Sequence, residues 1–195
     1  MQSQALPVNW SFLRTLLLAW LFAAVALARF GLLGRDFPVA QVILVVTGGL
    51  FGWAAFRLAP VRNPLWNCDI RWLVLLHLSR FVGFWFLVLY ARKRLPYDFA
   101  VKGGWGDIVA AALACVVLLI PAGVSFRPLA IQVWNVFGLV DILFVVGTAA
   151  RLTLADRHVM DELRHIPMSL LPTFLVPLII VTHVVIWARV RQGRL

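Results

Sequence analysis

The sequence predicts an all-α integral membrane protein, a six-helix transmembrane bundle with short loops. Of its 195 residues, 63% are hydrophobic and only 13% are charged, whereas a soluble domain is about 45–50% apolar and about 25% charged. The apolar residues form continuous runs, not the alternating pattern of a membrane β-barrel. Runs of roughly 20 such residues are long enough to cross the hydrocarbon layer as helices. These observations exclude a soluble globular domain, a disordered chain and a coiled coil.

Six apolar runs are expected to form one transmembrane domain over residues 1–195. Arg29, Arg57 and the basic cluster Arg92–Arg94 lie at the ends of the first three runs, where a chain returns to the polar headgroups. The expected spans are Phe12–Leu33, Val39–Leu58, Arg71–Tyr90, Asp107–Phe126, Gln132–Leu152 and Ser169–Arg189. Tryptophan favours the membrane interface, and six tryptophans lie near these span ends: Trp10, Trp66, Trp72, Trp105, Trp134 and Trp187.

Two connections are longer than the others. The segment before the fourth span contains Gly103-Gly104-Trp105-Gly106, and we expect a tight turn there, with Asp107 capping the helix that follows. The polar segment Thr153–Met168 is expected to form a short helix on the membrane surface. A G-x-x-D-I pattern occurs at Gly104–Ile108 and again at Gly138–Ile142, and we interpret two such short matches as chance.

The formal net charge of +10 comes from 18 Lys and Arg against 8 Asp and Glu. Nearly all basic side chains flank the apolar runs, where they can reach lipid phosphates. The lipid bilayer is therefore the expected partner, and nucleic acid is not. The basic residues are divided about equally between the two sides, so the positive-inside rule leaves the orientation open. We expect a multi-pass protein of the cell (inner) membrane.

A few ionisable residues lie inside the expected spans, where each costs at least about 2.5–3.5 kcal/mol. Counting about 1.5 Å per residue from the span ends puts Arg80 and Asp141 roughly 14 Å deep, near the bilayer centre. We expect them to form an ion pair, because each charge alone in hydrocarbon would cost more, and Asn135 can add hydrogen bonds. The group is interpreted either as a ligand-binding or proton-relay site, or as a structural pair that fixes helix register.

Two histidines suggest a cofactor. His77 and His183 are expected roughly 9 Å below the same side of the membrane, on two different helices. Two neutral imidazoles that face each other across a bundle are the usual axial ligands of a b-type haem. Haem b is therefore a candidate cofactor, with Arg80 on a propionate. The alternative is two histidines that are hydrogen-bonded to their neighbours.

A weaker metal site is suggested by the segment after the fifth span. If this segment were helical, His158, Glu162 and His165 would share one face, and all three are metal-binding residue types. An interfacial helix without a metal explains the same residues.

Three functions remain open. The first is a polytopic integral membrane protein that binds a ligand or b-type haem in its polar core. The second is a proton-coupled small-solute transporter or channel, in which Asp141 titrates, Arg80 tunes it, and the sixth span gates at Pro172 and Pro177. The third is an assembly or scaffold subunit with a membrane-protein partner or a second copy as partner, using Gly48, Gly49 and Gly52 for helix contacts. No catalytic motif is found, so no catalytic residue is predicted and enzyme activity stays open.

Overall fold

A computed structural model describes residues 10–34 and 39–194, and the regular structure in these ranges is helical throughout. Six helices are long and apolar enough to cross a membrane, as the sequence predicts. We number the helices α1 to α7 in chain order: Ser11–Arg29, Val39–Arg57, Ala59–Asn67, Ile70–Ala91, Asp98–Leu119, Arg127–Ala155 and Leu171–Arg191. The short helix α3 has no counterpart among the expected spans; it connects α2 to α4.

The predicted bounds of the fourth span are wrong. It covers Asp98–Leu119 and not Asp107–Phe126, because the glycine-containing segment before Asp107 is part of the helix. Asp107 therefore does not cap the span, and the predicted turn at Gly103–Gly106 is absent. At the other end, α5 stops at Leu119, two residues before Pro121, which cannot continue a helix without loss of a hydrogen bond.

The reason for the helical conformation is a close crossing with α4. A Cβ atom on Gly104 would lie 3.0 Å from the carbonyl oxygen of Gly83, and one on Gly83 would overlap the carbonyl oxygen of Gly104. Two helices approach this closely only where both lack side chains. The crossing brings Asp107, one turn further along α5, next to the middle of α4.

The middle of α4 is a 3-10 helix over His77–Val82. Because a 3-10 helix has three residues per turn, residues three apart lie in line along one face. His77 and Arg80 therefore point into the bundle together, and both are almost completely buried. Two apolar clusters enclose this polar layer, one towards each end of the bundle.

The predicted surface helix over Thr153–Met168 does not form. Helix α6 continues to Ala155, and turns with a short 3-10 segment at Asp161–Arg164 follow. Thr153 is part of α6, and its hydroxyl donates to the carbonyl oxygen of Ala149 one turn earlier.

At the end of the bundle that carries α3, Arg189 binds the connection between α3 and α4. Its guanidinium is buried and donates to the carbonyl oxygens of Leu65 at 3.1 Å and Cys68 at 2.8 Å, which fixes the α3–α4 connection to α7. Arg189 is thus not one of the headgroup-facing arginines. Burial raises the pKa of the Cys68 thiol, so this cysteine stays neutral beside the arginine.

We predict that Gly83→Ala destabilises the bundle by about 1–3 kcal/mol, because the added methyl group forces α4 away from α5. Gly147→Ala is the matched control, since no atom lies within 4 Å of a Cβ at that position and alanine favours a helix by about 0.5–1 kcal/mol. Unfolding in detergent, followed by tryptophan fluorescence, measures both. Equal stability of the two variants would contradict the close crossing.

Candidate functional site

The centre of the bundle is built around the guanidinium of Arg80. Its Nε donates to Oδ1 of Asp107 at 2.6 Å, one Nη donates to the carbonyl oxygen of Gly138 at 2.8 Å, and the other Nη donates to Oδ2 of Asp141. The predicted Arg80–Asp141 contact is therefore present, and a second carboxylate joins it. Arg80 is 1% exposed, and the Asp107 side chain 4%.

This cluster lies near the middle of the helices. Arg80 is about 15 Å from either end of α4 at about 1.5 Å per residue, and Asp141 is the central residue of α6. The three charges come from three consecutive membrane-length helices, α4, α5 and α6. A charge at this depth must be compensated by neighbouring charges and hydrogen bonds, because lipid supplies neither.

Sequence reasoning missed Asp107 as a partner of Arg80. A signal was present, because the G-x-x-D-I pattern places Asp107 in α5 and Asp141 in α6 at equivalent positions. Both aspartates bind the same guanidinium, so the two matches have a common structural role. From the sequence alone, two matches this short are interpreted as chance.

His77 and His183 lie beside the cluster, in direct contact with each other. Their ring centroids are 4.1 Å apart at an interplanar angle of 50°, and Trp134 packs against both rings. Trp134 is only 2% exposed, so its indole ring packs inside the bundle. A Cβ on Gly138 would lie 3.0 Å from His183 Nε2 and 3.1 Å from a nitrogen of Arg80, which shows how close the two groups are.

The hydrogen bonds define the neutral form of His183. Asn135 donates from its amide nitrogen to the carbonyl oxygen of His183 at 3.1 Å, so its amide oxygen lies 2.8 Å from Nδ1 of the ring. That oxygen can only accept, and Nδ1 must therefore carry the hydrogen. The lone pair of Nε2 has no partner among the described residues. Asn135 therefore holds His183 in place. The expectation that it adds hydrogen bonds to the Arg80–Asp141 pair is wrong.

His77 has the same feature on its other ring nitrogen. The Thr182 hydroxyl lies 2.9 Å from the carbonyl oxygens of Leu178 and Ile179, to one of which it donates, and 3.3 Å from Nε2 of His77. With its hydrogen used within the helix, the hydroxyl accepts from Nε2. The lone pair of Nδ1 is left without a partner in the described chain. The two neutral rings therefore offer two buried proton acceptors beside Arg80.

These histidines do not fit the axial positions of a haem. A porphyrin must lie between its two ligand rings, and here the rings touch each other with no space between them. His77 and His183 are brought together as the sequence suggests, but in direct contact at a tilted angle and not across a cofactor. No step of the proposed function uses haem.

The three candidate metal ligands His158, Glu162 and His165 are not brought together. Glu162 forms an ion pair with Arg94 at 2.7 Å, and His158 lies 3.4 Å from Asp161. His165 follows the 3-10 segment in an extended conformation, so the helix face that would unite the three is absent. Within the part of the chain that the structure describes, no group of three His, Cys, Asp or Glu residues could hold a metal.

A cavity of about 160 Å³ leads to the cluster. Its walls come mainly from apolar side chains of α2, α6 and α7, and Arg80 and Asp107 line its inner end. Gln41, Thr153 and Arg164 line the opposite end, near the side on which α2 begins. Pro172, at which the last span is expected to gate, also lines the cavity. It lies in the π-helical turn Leu171–Leu175, with which α7 begins.

The small residues of α2 are used within the bundle. Cβ atoms on Gly48 and Gly52 would lie 3.6 Å from Pro177 and Val181 of α7. Two of the three glycines expected to contact a partner helix therefore pack against this chain's own α7, whereas a Cβ on Gly49 would meet nothing within 4 Å.

Comparison with known proteins gives one match. A family described as a domain of unknown function (DUF8737) matches residues 36–191, which include all of α2 to α7. None of the curated proteins and none of the solved structures matches the chain.

We predict that Arg80→Gln destabilises the protein by about 3–5 kcal/mol, because it leaves buried carboxylates without their cation. Adding Asp141→Asn should recover part of this loss, since it removes one of those charges. Arg151→Gln is the control, because Arg151 forms an exposed ion pair with Asp98 that is worth about 0–1 kcal/mol. Denaturant unfolding in micelles compares them, and a loss no larger than that of the control would refute the central role of Arg80.

Proposed function

The chain belongs to the family of the domain of unknown function DUF8737, and we propose that it is a multi-pass protein of the cell membrane that couples a proton on its Arg80–Asp107–Asp141 cluster to the movement of a small solute. One observation carries this proposal. A single buried guanidinium is shared by two carboxylates, and one of them lines a cavity.

The charge of the cluster supports proton binding. One guanidinium and two ionised carboxylates have a net charge of −1, and an uncompensated charge is costly in an apolar interior. The cluster is neutral only when one carboxylate holds a proton or when another cation takes its place. A proton-coupled site requires two such states. In one, a bound proton compensates the charge, and in the other, a different cation does.

The surroundings of the cluster favour access from one side at a time. The cavity connects the cluster to the side on which α2 begins. Towards the opposite side, an apolar cluster that includes Ile70, Val74, Ile131 and Ile186 fills the bundle. Carriers expose a central site to the two sides alternately, and this arrangement corresponds to one of the two states.

The first segment of α7 provides an element that can change. Its π-helical turn contains Pro172, which removes one backbone donor, and an α-helix begins directly after it at Val176. π-Turns within helices are frequent at functional sites. The last span therefore gates the cavity by a change in the conformation of Leu171–Leu175.

We predict that one carboxyl group of the cluster gains and loses a proton within the pH range in which the protein stays folded. Infrared difference spectra of the purified protein, recorded across a pH titration, should show one C=O band of a protonated carboxylic acid. The band should disappear or shift in Asp107→Asn and in Asp141→Asn, because each changes the pair that shares the proton. Asp98→Asn serves as control, since Asp98 is bound to Lys102 and Arg151 outside the cluster.

The alternative is a permanently ionised cluster that only holds the helices in register. In that case no carboxylic acid band assignable to Asp107 or Asp141 would appear at any pH at which the protein is folded. This result would overturn the proposed function while leaving the stability prediction for Arg80 intact.

A further inference from the structure

We propose that the solute is a small lipophilic monocation, which enters the cavity from the lipid between α2 and α6 and takes the place of the proton at Asp107. This inference rests on the proposed function and adds to it the substrate class and the route of entry.

The cavity wall determines the body of the ligand. Of the side chains that line it, only Arg80, Asp107 and Arg164 are charged, and most of the others are aliphatic or aromatic. Such a surface cannot replace the hydration of a polar solute, so a sugar or an inorganic ion would lose more than it gains there. A volume of about 160 Å³ accepts a small apolar body, since an apolar protein cavity of about 150 Å³ binds a benzene ring.

The inner end of the cavity determines the charge. Arg80 lies between the two carboxylates, and of these only Asp107 lines the cavity. Arg80 and Asp107 both line the inner end, and Asp141 binds Arg80 from outside the cavity, so with both carboxylates ionised the group at this end has a net negative charge. A monocation neutralises this charge in the same way as a proton does. An anion would require both carboxylates to be protonated before Arg80 could bind it.

The proposed route of entry passes between α2 and α6, where the cavity wall is thin. Val45 lines the cavity and is also 69% exposed on the outer surface of α2, so little more than this side chain separates the two. The hydrogen bond from Gln41 Nε2 to Thr153 Oγ1, 3.0 Å long, is the one side-chain hydrogen bond between α2 and α6 in the described ranges. A lipophilic molecule can therefore enter sideways, past this single bond.

The positive charge near the outer end of the cavity is compensated. Arg164 lies 3.4 Å from Asp161, and the neighbouring Glu162 is bound to Arg94 at 2.7 Å. Each pair contains one positive and one negative charge, so neither pair opposes the entry of a cation.

Competition between proton and cation makes binding depend on pH. The titratable and charged groups around Asp107 are Arg80 and His77 of α4, Asp141 of α6 and His183 of α7. Asp107 and Asp141 share one guanidinium, so a proton on either reduces the negative charge available to the ligand.

The test uses benzyltrimethylammonium and its neutral carbon isostere neopentylbenzene, which have the same shape and differ in charge. Equilibrium dialysis with the full-length protein in detergent should show that the cation binds and that its apparent Kd rises by up to about tenfold per unit of falling pH. About one proton should be released for each cation bound in weakly buffered solution. The neutral isostere should bind at least about tenfold more weakly, without releasing protons.

Two pairs of variants locate the site. Asp107→Asn should weaken cation binding at least about tenfold, whereas Asp98→Asn should not change it. Because Asp107→Asn also perturbs the cluster, Ala149→Trp provides a separate test. It fills the cavity without touching the charges and should abolish binding. Ala112→Trp, at an exposed position of α5 outside the cavity, should retain it.

The possible failures are distinguishable. A titrating carboxyl group in the infrared spectra without binding of the cation would overturn the substrate class and leave the proposed function standing. Equal binding of the cation and the neutral isostere would also overturn it, because the cavity would then select only for apolar surface. If neither the carboxyl group titrates nor the cation binds, both proposals fail.

Discussion

The structure depends on the shared coordination of one guanidinium at the centre of the bundle. Arg80 is held by a carboxylate from α5 and by a carboxylate and a backbone carbonyl from α6. Between membrane helices there is little hydrophobic driving force, because lipid is as apolar as the helix surface. A set of directional contacts that must be satisfied together therefore fixes the relative rotation and depth of α4, α5 and α6.

Glycines make this coordination sterically feasible. A Cβ on Gly106 would overlap the carboxylate of Asp141, and one on Gly138 would lie 2.7 Å from Cε1 of His183. With the crossing of Gly83 and Gly104, the helices approach each other wherever the charged groups need space. Gly48 and Gly52 of α2 serve a separate contact, because they pack against Pro177 and Val181 of α7.

The polar centre and the cavity make the two ends of the bundle different. The histidine pair and the closed apolar cluster lie on one side of Arg80, while the cavity lies on the other. The function proposed for the bundle uses this difference, because a solute would reach the charged cluster from the cavity side. The chemistry proposed for the bundle follows from this asymmetry and from the net charge of the cluster, without any bound cofactor.

The sequence by itself determined the helical class, the approximate position of five spans, and the need of Arg80 for a carboxylate partner such as Asp141. These follow from hydropathy and from the cost of an isolated charge, which are properties of the residues alone. Only the tertiary structure decided that Asp107 is the second partner, that His77 and His183 touch, and that Asn135 binds an imidazole. Those contacts join side chains of different helices that are remote in the chain, and their distances are set by how the helices pack, which the hydropathy of each segment does not specify.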